Sequence, residues 1–303
     1  MDVAITGSGG LIGTALSEAL RARGDRVLQL TRSSNRAAAD EHAAYWSPDD
    51  GDIDAAAIEG LDAVIHLAGE PIAAKRWTAQ QQRTILTSRT KGTSLIAGTI
   101  AGLRTPPKVL LSASAIGYYG DTGDATVDES APPGSDFLAK VCVEWEGAAR
   151  VAAEADIRTV TLRTGIVQST RGGALATQMP FFKFGLGGKV LPGTQWVSWI
   201  SLTDEVEATL HCLDHDAVSG PVNLVAPNPV TNAEYASTLG SVLHRPTFII
   251  PMIGPKVLYG SELAESLLKT SQRVDNGVLR DTGYHFAHSE LRPALEAALA
   301  DGR

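Results

Sequence analysis

The sequence predicts an α/β protein with a doubly wound parallel sheet, and three observations support this fold class. Short apolar runs alternate with longer amphipathic segments, as strands and crossover helices do. The first apolar run, residues 3–5, leads into a glycine-rich turn and then into an apolar helical stripe over residues 11–23. Later runs over 62–69 and 109–111 end in small residues, which suits the edge of an open sheet where ligands bind.

Three glycines at the first turn follow the spacing G-x-x-G-x-x-G. Gly7 lets the chain turn sharply, Gly10 lets the backbone approach a pyrophosphate, and Gly13 lets the helix lie close to the strand. The unpaired N–H groups at the start of the helix then point at the phosphates. A glycine-rich turn without a ligand is the alternative, but the preceding strand and following helix favour nucleotide binding. The predicted phosphate-binding residues are Gly7, Ser8, Gly10, Leu11, Ile12 and Gly13.

The end of the second predicted strand, residues 27–30, distinguishes between the two nicotinamide dinucleotides. An acidic residue here binds the ribose hydroxyls of NAD and repels a 2′-phosphate. This chain instead has Thr31, Arg32 and Ser33, with no carboxylate before Asp40. Because a guanidinium binds a phosphate through two parallel hydrogen bonds, the sequence favours NADP(H) over NAD(H). A solvated loop arginine is the alternative interpretation.

Composition and charge argue against several other classes of protein. The chain has 303 residues and a net charge of −8, which disfavours nucleic acid or an anionic membrane as its main partner. Cys142 and Cys212 are far apart and belong to no C-x-x-C motif, so neither a disulfide framework nor a metal site is expected. No apolar run approaches the length of a membrane span, and the first strand leaves no room for a signal peptide, so we expect a cytoplasmic protein.

Three later strand ends supply further candidates for the cofactor-binding site. Leu67, Ala68 and Gly69 end the run over 62–69, where the two small residues allow a ligand to approach the backbone closely. His66 lies inside the same strand and is interpreted as a core histidine. The set is completed by residues that end two more strands at the same edge: Ser112, Arg163 and Thr164.

The segment after the strand over 109–111 holds the candidates for catalysis. It reads S-A-S-A-I-G-Y-Y-G over 112–120, at the carboxyl end of a strand near the predicted reversal of strand order. Ser114 is placed to orient a substrate oxygen, and Tyr118 is placed to exchange a proton, with Tyr119 or a water as the alternative proton donor. Serine and glycine are also turn residues, so an ordinary loop remains the other interpretation.

Taken together, these segments resemble the extended short-chain dehydrogenase/reductase family, which has a Rossmann fold. The likeness is carried by T-G-S-G-G-L-I-G over 6–13, D-A-V-I-H-L-A-G over 62–69 and S-A-S-A-I-G-Y-Y-G over 112–120. Further motifs, including R-T-G-I-V over 163–167 and Q-W-V-S-W-I over 195–200, are similar to an atypical branch of NAD(P)-binding "epimerase family proteins" with a small C-terminal domain. The matching motifs span nearly the whole chain.

The chain departs from the broader family at the residues that carry its chemistry. The resemblance to that family implies a Ser/Thr–Tyr–Lys arrangement. In it, the tyrosine exchanges a proton, and a lysine four residues after the tyrosine lowers the tyrosine's pKa. Ser114 matches the serine, but Phe137 stands at the tyrosine's position and Val141 at the lysine's. Lys140 is one residue off, which moves it about 100° around a helix axis. Arg89 stands where the broader family carries an asparagine.

A second departure concerns the substrate. Relatives that act on nucleotide sugars have an arginine at the position of Val197, where it meets the substrate diphosphate. Trp196 and Trp199 flank this position without a cation, so we expect a flatter, less charged substrate than a nucleotide diphospho-sugar.

The predicted division is a dinucleotide-binding lobe over 1–170, completed by about 203–226, and a smaller, mostly helical C-terminal lobe. The second lobe covers 171–202 and 227–303 and is expected to wall a substrate cleft or to form a homodimer surface. The sequence favours an NADP(H)-dependent oxidoreductase or epimerase-like enzyme on a small carbonyl or alcohol. Because Tyr and Lys are missing, a non-catalytic NADP(H)-binding redox sensor or regulatory protein is the alternative.

Overall fold

The computed structural model of the protein describes residues 1–302, except for the side chain of Tyr259. The strands are β1 (Asp2–Thr6), β2 (Arg26–Thr31), β3 (Ala43–Ser47), β4 (Asp52–Ile53), β5 (Ala63–His66), β6 (Val109–Ala115), β7 (Thr126–Val127), β8 (Arg158–Thr164), β9 (Ile166–Gln168), β10 (Gly188–Val190), β11 (Trp196–Val197), β12 (Trp199–Ser201), β13 (Gly220–Leu224), β14 (Val230–Thr231), β15 (Phe248–Ile250) and β16 (Arg273–Val274). The helices are α1 (Leu11–Ala22), α2 (Ser34–Ala39), α3 (Ala55–Ile58), α4 (Ala79–Ala101), α5 (Phe137–Glu154), α6 (Gly173–Lys183), α7 (Leu202–Asp214), α8 (Asn232–Val242), α9 (Ile253–Tyr259), α10 (Ser261–Leu268), α11 (Gly277–Asp281) and α12 (Leu291–Ala300).

One large sheet organises the amino-terminal part of the chain. Its eight strands lie in the order β13-β8-β6-β5-β1-β2-β3-β4, and all neighbours are parallel except β3 and β4. The chain builds outwards from β1 in one direction through β2 and β3, then returns to β5 on the other side of β1. This reversal places a crevice at the carboxyl ends of β1 and β5. The doubly wound parallel fold predicted from the sequence is confirmed.

Alternate residues of the central strands point into two separate cores. On one face, Val3 and Ile5 pack in a cluster with α1 and α7. On the other face, Ala4 and Val64 pack in a second cluster with side chains of α4 and α5. Strands buried on both faces have no polar alternation, which is why they read as continuous apolar runs in the sequence.

The C-terminal part consists of helices and short two-stranded pairings. β10 pairs with β15, β11 with β14, and β16 reaches back to β7. A third cluster, which includes Leu175, Trp199 and Leu239, holds α6, α8 and α12 together. None of the described helices combines the length and apolarity that crossing a bilayer requires. The lobe boundaries drawn from the sequence stay a prediction, although β13 does join the large sheet.

Two segments of the C-terminal part depart from what their residue patterns indicate. The apolar pattern over 255–268 suggests one helix, but Gly260 has a φ of 88° and separates α9 from α10. The glycine-rich stretch over 171–193 indicates a mobile flap or substrate loop, while its phenylalanines fit packing against the C-terminal lobe equally well. In the structure it contains α6. Phe182 anchors this helix in the third cluster, whereas Phe184 remains largely exposed. The local composition is that of a loop, and packing against the neighbouring helices overrides it.

Candidate nucleotide-binding site and the adjoining polar cluster

The glycine turn between β1 and α1 is closely packed against its surroundings. A Cβ at Gly7, whose φ is 70°, would lie 2.9 Å from the carbonyl carbon of Leu67. A Cβ at Gly13 would overlap the carbonyl oxygen of Gly7 and lie 2.9 Å from its carbonyl carbon. Backbone cannot give way as a flexible side chain can, so both glycines are required for α1 to begin beside the ends of β1 and β5.

The amino end of α1 fits an anionic ligand. Gly10 is the N-cap residue, offers no side-chain cap and is exposed, and the first turn of the helix carries no acidic residue. The first intrahelical bond runs from Thr14 N–H to the Gly10 carbonyl, which leaves the N–H groups of Leu11, Ile12 and Gly13 without a helical acceptor. A Cβ at Gly10 would lie 3.3 Å from the Gly7 carbonyl oxygen, a tight contact that glycine avoids. This cradle suits the diphosphate of a dinucleotide.

The end of β2 presents a cation and no acid. Arg32 is exposed, and it forms no ion pair with any residue between 1 and 302. Ser33 caps α2 by accepting a hydrogen bond from the Arg36 N–H, and the Arg36 guanidinium is bonded to Gln29. Thr31 accepts a hydrogen bond from the Ser33 N–H at 3.2 Å. Arg32 is therefore the side chain at this strand end that is available to a phosphate.

The end of β5 is tied to β1 through Thr6. The Thr6 hydroxyl oxygen accepts hydrogen bonds from the N–H groups of Leu67 and Ala68, at 3.1 and 3.3 Å, and lies 2.7 Å from His66 Nδ1. His66 is fully buried, and burial lowers its pKa to about 4, so the ring is neutral at physiological pH. These bonds support the interpretation of His66 as a core residue that fixes the strand end. Gly69 follows, exposed, at the mouth of the crevice.

Beyond the crevice, β6, β8 and α5 form a dense polar cluster, which we call the Glu146 cluster. It consists of Ser114, Tyr118, Tyr119, Glu146 and Arg163. Arg163 donates from Nε to Oε1 of Glu146 at 2.8 Å and from Nη2 to Oε2 at 2.9 Å, a two-point ion pair that is nearly inaccessible to solvent. Its guanidinium also lies 3.5 Å from the centre of the Tyr118 ring.

Two residues predicted from the sequence therefore have partners that the sequence did not suggest. Ser114 donates its hydroxyl proton to Oε1 of Glu146 at 2.7 Å, so this hydroxyl can only accept a further hydrogen bond. Arg163 was expected among the cofactor-binding residues, but its guanidinium is committed to Glu146 and Tyr119 and is 3% exposed. The structure places the Arg163 guanidinium in the Glu146 cluster, and a contact of this residue with the cofactor stays a prediction.

The two adjacent tyrosines differ in availability. The Tyr119 hydroxyl donates to Asn223 at 2.7 Å and accepts from Arg163 at 2.9 Å, and burial raises its pKa to about 12. Tyr118 is only half-buried, and its hydroxyl has no hydrogen-bond partner among the residues that the structure describes. Of the two, Tyr118 is the one whose proton a substrate can reach.

The positions that replace the family's tyrosine and lysine are apolar contacts. Phe137, the first residue of α5, packs edge to face against Trp77 with the ring centres 5.0 Å apart. Val141 is buried, whereas Lys140 is exposed. Neither Phe137 nor Val141 can exchange a proton. Lys140 does not replace the family's lysine, because it lies on a different side of the helix from Val141.

Two further predicted residues have hydroxyl groups that contact the protein interior: Ser112 lies in the middle of β6 rather than at its end, and Thr164 is the last residue of β8. Ser112 is fully buried, so its hydroxyl is not accessible to a ligand. Thr164 donates its hydroxyl proton to Oε1 of Glu205 at 2.8 Å. Glu205 on α7 is itself buried, its Oε2 has no partner within the described part of the chain, and burial raises its pKa to about 8.

The two tryptophans on either side of Val197 lie in different environments. Trp199 is fully buried in the third cluster, where its Nε1 donates to the Asn228 carbonyl at 3.0 Å. Trp196 is half-buried, and the Arg273 guanidinium lies 4.2 Å from the centre of its ring. A pair of tryptophans without a cation was expected to form a flat site. The structure instead leaves one accessible tryptophan, with a cation stacked on it.

Glu146 is the functional-site residue that the sequence analysis missed, although a signal for it exists. Ala139, Cys142 and Ala149 of α5 are buried, and Glu146 lies on the same face at spacings of three, four and seven residues. An acidic residue on the buried face of a helix requires a partner, because an isolated buried carboxylate is unfavourable. That reasoning would have predicted a cation opposite it, and Arg163 at the end of β8 provides one.

The parallel sheet, the glycine cradle at the crevice and the serine on β6 define a nucleotide-binding Rossmann protein of the extended short-chain dehydrogenase/reductase kind. A family model described as the NAD dependent epimerase/dehydratase family matches residues 3–225. A second model, described as a domain of unknown function (DUF1731), matches residues 250–298. The chain belongs to the NAD-dependent epimerase/dehydratase family, whose members bind NAD(P), as the sequence resemblance predicted.

Comparison with individual proteins agrees with this assignment. The chain is 41% identical over 296 residues to epimerase family protein Mb2239 of Mycobacterium bovis, covering 97% of this chain and 96% of that protein. It matches the crystal structure of human epimerase family protein SDR39U1 with NADPH at a TM-score of 0.90 and 33% identity, covering 99% of this chain and 100% of the other. A Thermus thermophilus UDP-glucose 4-epimerase in complex with NAD shares the fold at a TM-score of 0.77 and 17% identity, with 99% and 98% of the two chains covered.

Proposed function

We propose that the protein is an NADP(H)-dependent oxidoreductase acting on a small carbonyl or alcohol substrate. The observation that carries the proposal is the pairing of two features at one sheet edge. The open amino end of α1 accepts a diphosphate, and Arg32 at the end of β2 is an exposed cation with no carboxylate beside it. A diphosphate flanked by a second phosphate is the charge pattern of NADP(H) rather than NAD(H).

The human relative supports the choice of cofactor. Its structure was determined with NADPH, and the two chains match along almost their whole lengths. In our chain, the N–H groups of Leu11, Ile12 and Gly13 bind the diphosphate and Arg32 binds the 2′-phosphate. Gly7 and Gly13 carry no side chain that would move α1 away from this position.

When bound, the nicotinamide donates or accepts a hydride. The Tyr118 hydroxyl then gives a proton to the developing alkoxide of a carbonyl substrate, or takes one in the reverse direction. Arg163 stacks on the Tyr118 ring and holds it in place. Because Ser114 donates its own proton to Glu146, its oxygen is an acceptor, which suits the hydroxyl group of an alcohol better than a carbonyl.

The size and charge of the substrate follow from the residues near Val197. An arginine at that position would provide for a diphosphate, and valine does not. Arg273 lies over Trp196 nearby, so one anionic group on the substrate is compatible with this surface. We therefore propose a small substrate that is not a nucleotide diphospho-sugar.

The cofactor assignment is tested by titrating NADPH and NADH against the wild type and Arg32→Ala. Loss of a charged hydrogen bond costs about 1.5–3 kcal/mol, so NADPH affinity should fall on the order of tenfold to 100-fold while NADH affinity changes little. Arg21→Ala, an exposed arginine in the last turn of α1, is the matched control and should behave as the wild type. Equal affinities of the wild type for NADPH and NADH would overturn the preference.

A non-catalytic NADP(H)-binding sensor or regulatory protein is the second candidate, and one observation favours it. The position of the family's tyrosine is taken by Phe137, which packs on Trp77 and has no proton to exchange. The two candidates are separated by following NADPH absorbance with a panel of small aldehydes and ketones. Turnover that Tyr118→Phe abolishes supports the oxidoreductase, and tight NADPH binding without turnover across the panel supports the sensor.

A further inference from the structure

Exposed apolar side chains concentrate in one region of the C-terminal part. Within the described part of the chain, most of the large apolar side chains that are exposed lie in residues 181–191 and 245–258, which we call the apolar face. They are Phe181, Phe184, Leu186, Leu191, Phe248, Ile249, Ile253, Val257 and Leu258. Phe184 is 82% exposed and Ile253 is 75% exposed. Single exposed apolar residues are ordinary, but a group of this size indicates an interaction surface.

The two segments of the apolar face are joined to each other by backbone contacts. β10 pairs with β15 in parallel, and Gly188 lies opposite Phe248 in this pairing. The Arg245 side chain donates from Nε to the Lys183 carbonyl at 2.9 Å, which ties the end of α6 to the segment before β15. α9 begins at Ile253, directly after this strand. The exposed apolar side chains therefore belong to one continuous surface.

The charge of the apolar face is opposite in sign to that of the whole chain. Its two segments contain no Asp or Glu, whereas the chain carries a net charge of −8. Lys183, Lys189 and Arg245 form no ion pair with any residue between 1 and 302, and only Lys256 is paired, with Glu265 at 2.5 Å. The net charge disfavours an anionic membrane as a partner for the surface at large, but this face is locally cationic.

We propose that the apolar face docks on the surface of a bilayer that contains anionic lipids. The apolar side chains enter the boundary between headgroups and acyl chains, and Lys183, Lys189 and Arg245 meet the headgroup phosphates. A second copy of the chain fits less well, because a two-fold contact would bring two sets of these cations together without an acidic residue between them. Lysine is also depleted at interfaces between proteins.

The position of α9 gives the docking a consequence for the crevice. Arg76, which lies between β5 and α4, donates from Nε to the Leu258 carbonyl at 3.3 Å and is also bonded to the Val257 carbonyl. The next residue, Trp77, packs on Phe137, the position of the family's missing tyrosine. A docked face would therefore hold the mouth of the crevice close to the bilayer, within reach of an apolar substrate. This consequence rests on the proposed function, whereas the docking itself does not.

The test is sedimentation of the purified protein with vesicles of phosphatidylcholine, with or without an equal amount of phosphatidylglycerol. We expect the wild type to sediment with the vesicles that contain phosphatidylglycerol and to be released by salt, which screens exposed charges. Combining Phe184→Ser with Leu186→Ser removes apolar contact, and combining Lys183→Gln with Lys189→Gln removes two charges. Each double variant should weaken the partition coefficient at least about tenfold.

The matched control combines Val143→Ser with Val151→Ser, which changes two exposed apolar residues of α5 outside the face and should bind vesicles as the wild type does. The inference is overturned if the wild type shows no preference for phosphatidylglycerol, or if both double variants of the face bind as tightly as the wild type. If the serine variant of the face does not fold, the glutamine variant decides alone.

Sedimentation equilibrium without vesicles distinguishes the other occupant. A wild-type dimer that the serine variant of the face dissociates, together with no binding to vesicles, would assign the face to a second copy and overturn the inference. Titration with NADPH tests the proposed function separately, because the face lies outside the phosphate cradle. A protein that binds these vesicles but not NADPH would support the docking while the proposed function fails.

Discussion

The phosphate cradle at α1 and the Glu146 cluster lie at the same edge of one sheet, yet they are built in opposite ways. The cradle is made of backbone: Gly7, Gly10 and Gly13 contribute no side chains, and the N–H groups they expose come from one continuous segment. The Glu146 cluster is made of side chains from β6, β8 and α5 that meet only in the folded protein. The cradle is therefore sensitive to any side chain added at its glycines, whereas the Glu146 cluster is sensitive to the loss of either charge of its ion pair.

The largest effect is expected from Gly13→Ala, which tests the cradle. The added Cβ would overlap the Gly7 carbonyl oxygen, so α1 must shift away from β1 and its N–H groups must leave their positions. We expect NADPH affinity to fall by more than about 100-fold, or ~2.7 kcal/mol, together with a loss of ~1–3 kcal/mol in the free energy of unfolding. Calorimetric titration and urea denaturation measure the two quantities.

Gly98→Ala is the matched control for that substitution. Gly98 is an exposed glycine inside α4 whose Cβ would meet nothing within 4 Å. Because glycine in a helix interior is less favourable than alanine, this variant should gain ~0.5–1 kcal/mol and bind NADPH normally. Wild-type binding by Gly13→Ala would show that the contact between α1 and the β1 turn is not what forms the site.

A smaller effect, of a different kind, is expected from Glu146→Gln. This change removes the negative charge opposite Arg163 but keeps an oxygen that can accept from Ser114. We expect the free energy of unfolding to fall by ~2 kcal/mol, because the buried guanidinium loses its ionic partner. NADPH affinity should change by less than about threefold, since the cluster lies beyond the cradle. Urea denaturation and an NADPH titration measure both effects.

Glu144→Gln provides the comparison for the cluster, because Glu144 is exposed on the same helix. It should leave the stability within about 0.5 kcal/mol of the wild type. If Glu146→Gln instead lost NADPH affinity to the extent of Gly13→Ala while remaining folded, the two regions would be one site, and the contrast drawn between them would fail.

This contrast explains which features could be predicted from the sequence. The strands and the cradle follow from local patterns: the apolar run before Gly7, the glycine spacing and the helical stripe lie within a short segment. Ser114 and Glu146 are 32 residues apart, and Glu146 and Arg163 are 17 apart, so nothing local links them. Their pairing depends on how α5 packs against β6 and β8, which single-residue propensities do not encode.

The different environments of the two tryptophans could not be predicted for a related reason, and the expected class of substrate stays a prediction. Trp196 and Trp199 look equivalent in the sequence, but one lies at the surface under Arg273 and the other is wholly inside the third cluster. Aromatic residues in short irregular strands carry no periodicity that would distinguish an exposed from a buried position. Arg273 comes from β16, far from Trp196 in the sequence. The neighbouring residues Ser198 and Gln272, which are hydrogen-bonded to each other, are 74 residues apart.

The smallest effect is expected at Glu205 on α7, whose carboxyl group accepts a hydrogen bond from Thr164 at the end of β8. Burial raises its pKa to about 8, so in the folded protein it remains protonated, while in the unfolded chain it ionises near its ordinary value of 4.5. Between these two values the folded state binds one more proton, and the stability that Glu205 contributes falls as the pH rises. Each pH unit in this window costs up to about 1.4 kcal/mol.

Glu205→Gln removes this dependence while keeping an acceptor for Thr164. The free energy of unfolding of Glu205→Gln minus that of the wild type should increase by ~1 kcal/mol from pH 6 to pH 7. Urea denaturation of both proteins at both pH values measures this difference. Burial of His66 gives a pH dependence of opposite sign, but it is common to both proteins and cancels in the difference. Glu207→Gln, exposed on the same helix, should show no such change. A constant difference between Glu205→Gln and wild type would mean that Glu205 ionises in the folded protein, and that Thr164 shares a charged rather than a neutral hydrogen bond at this strand end.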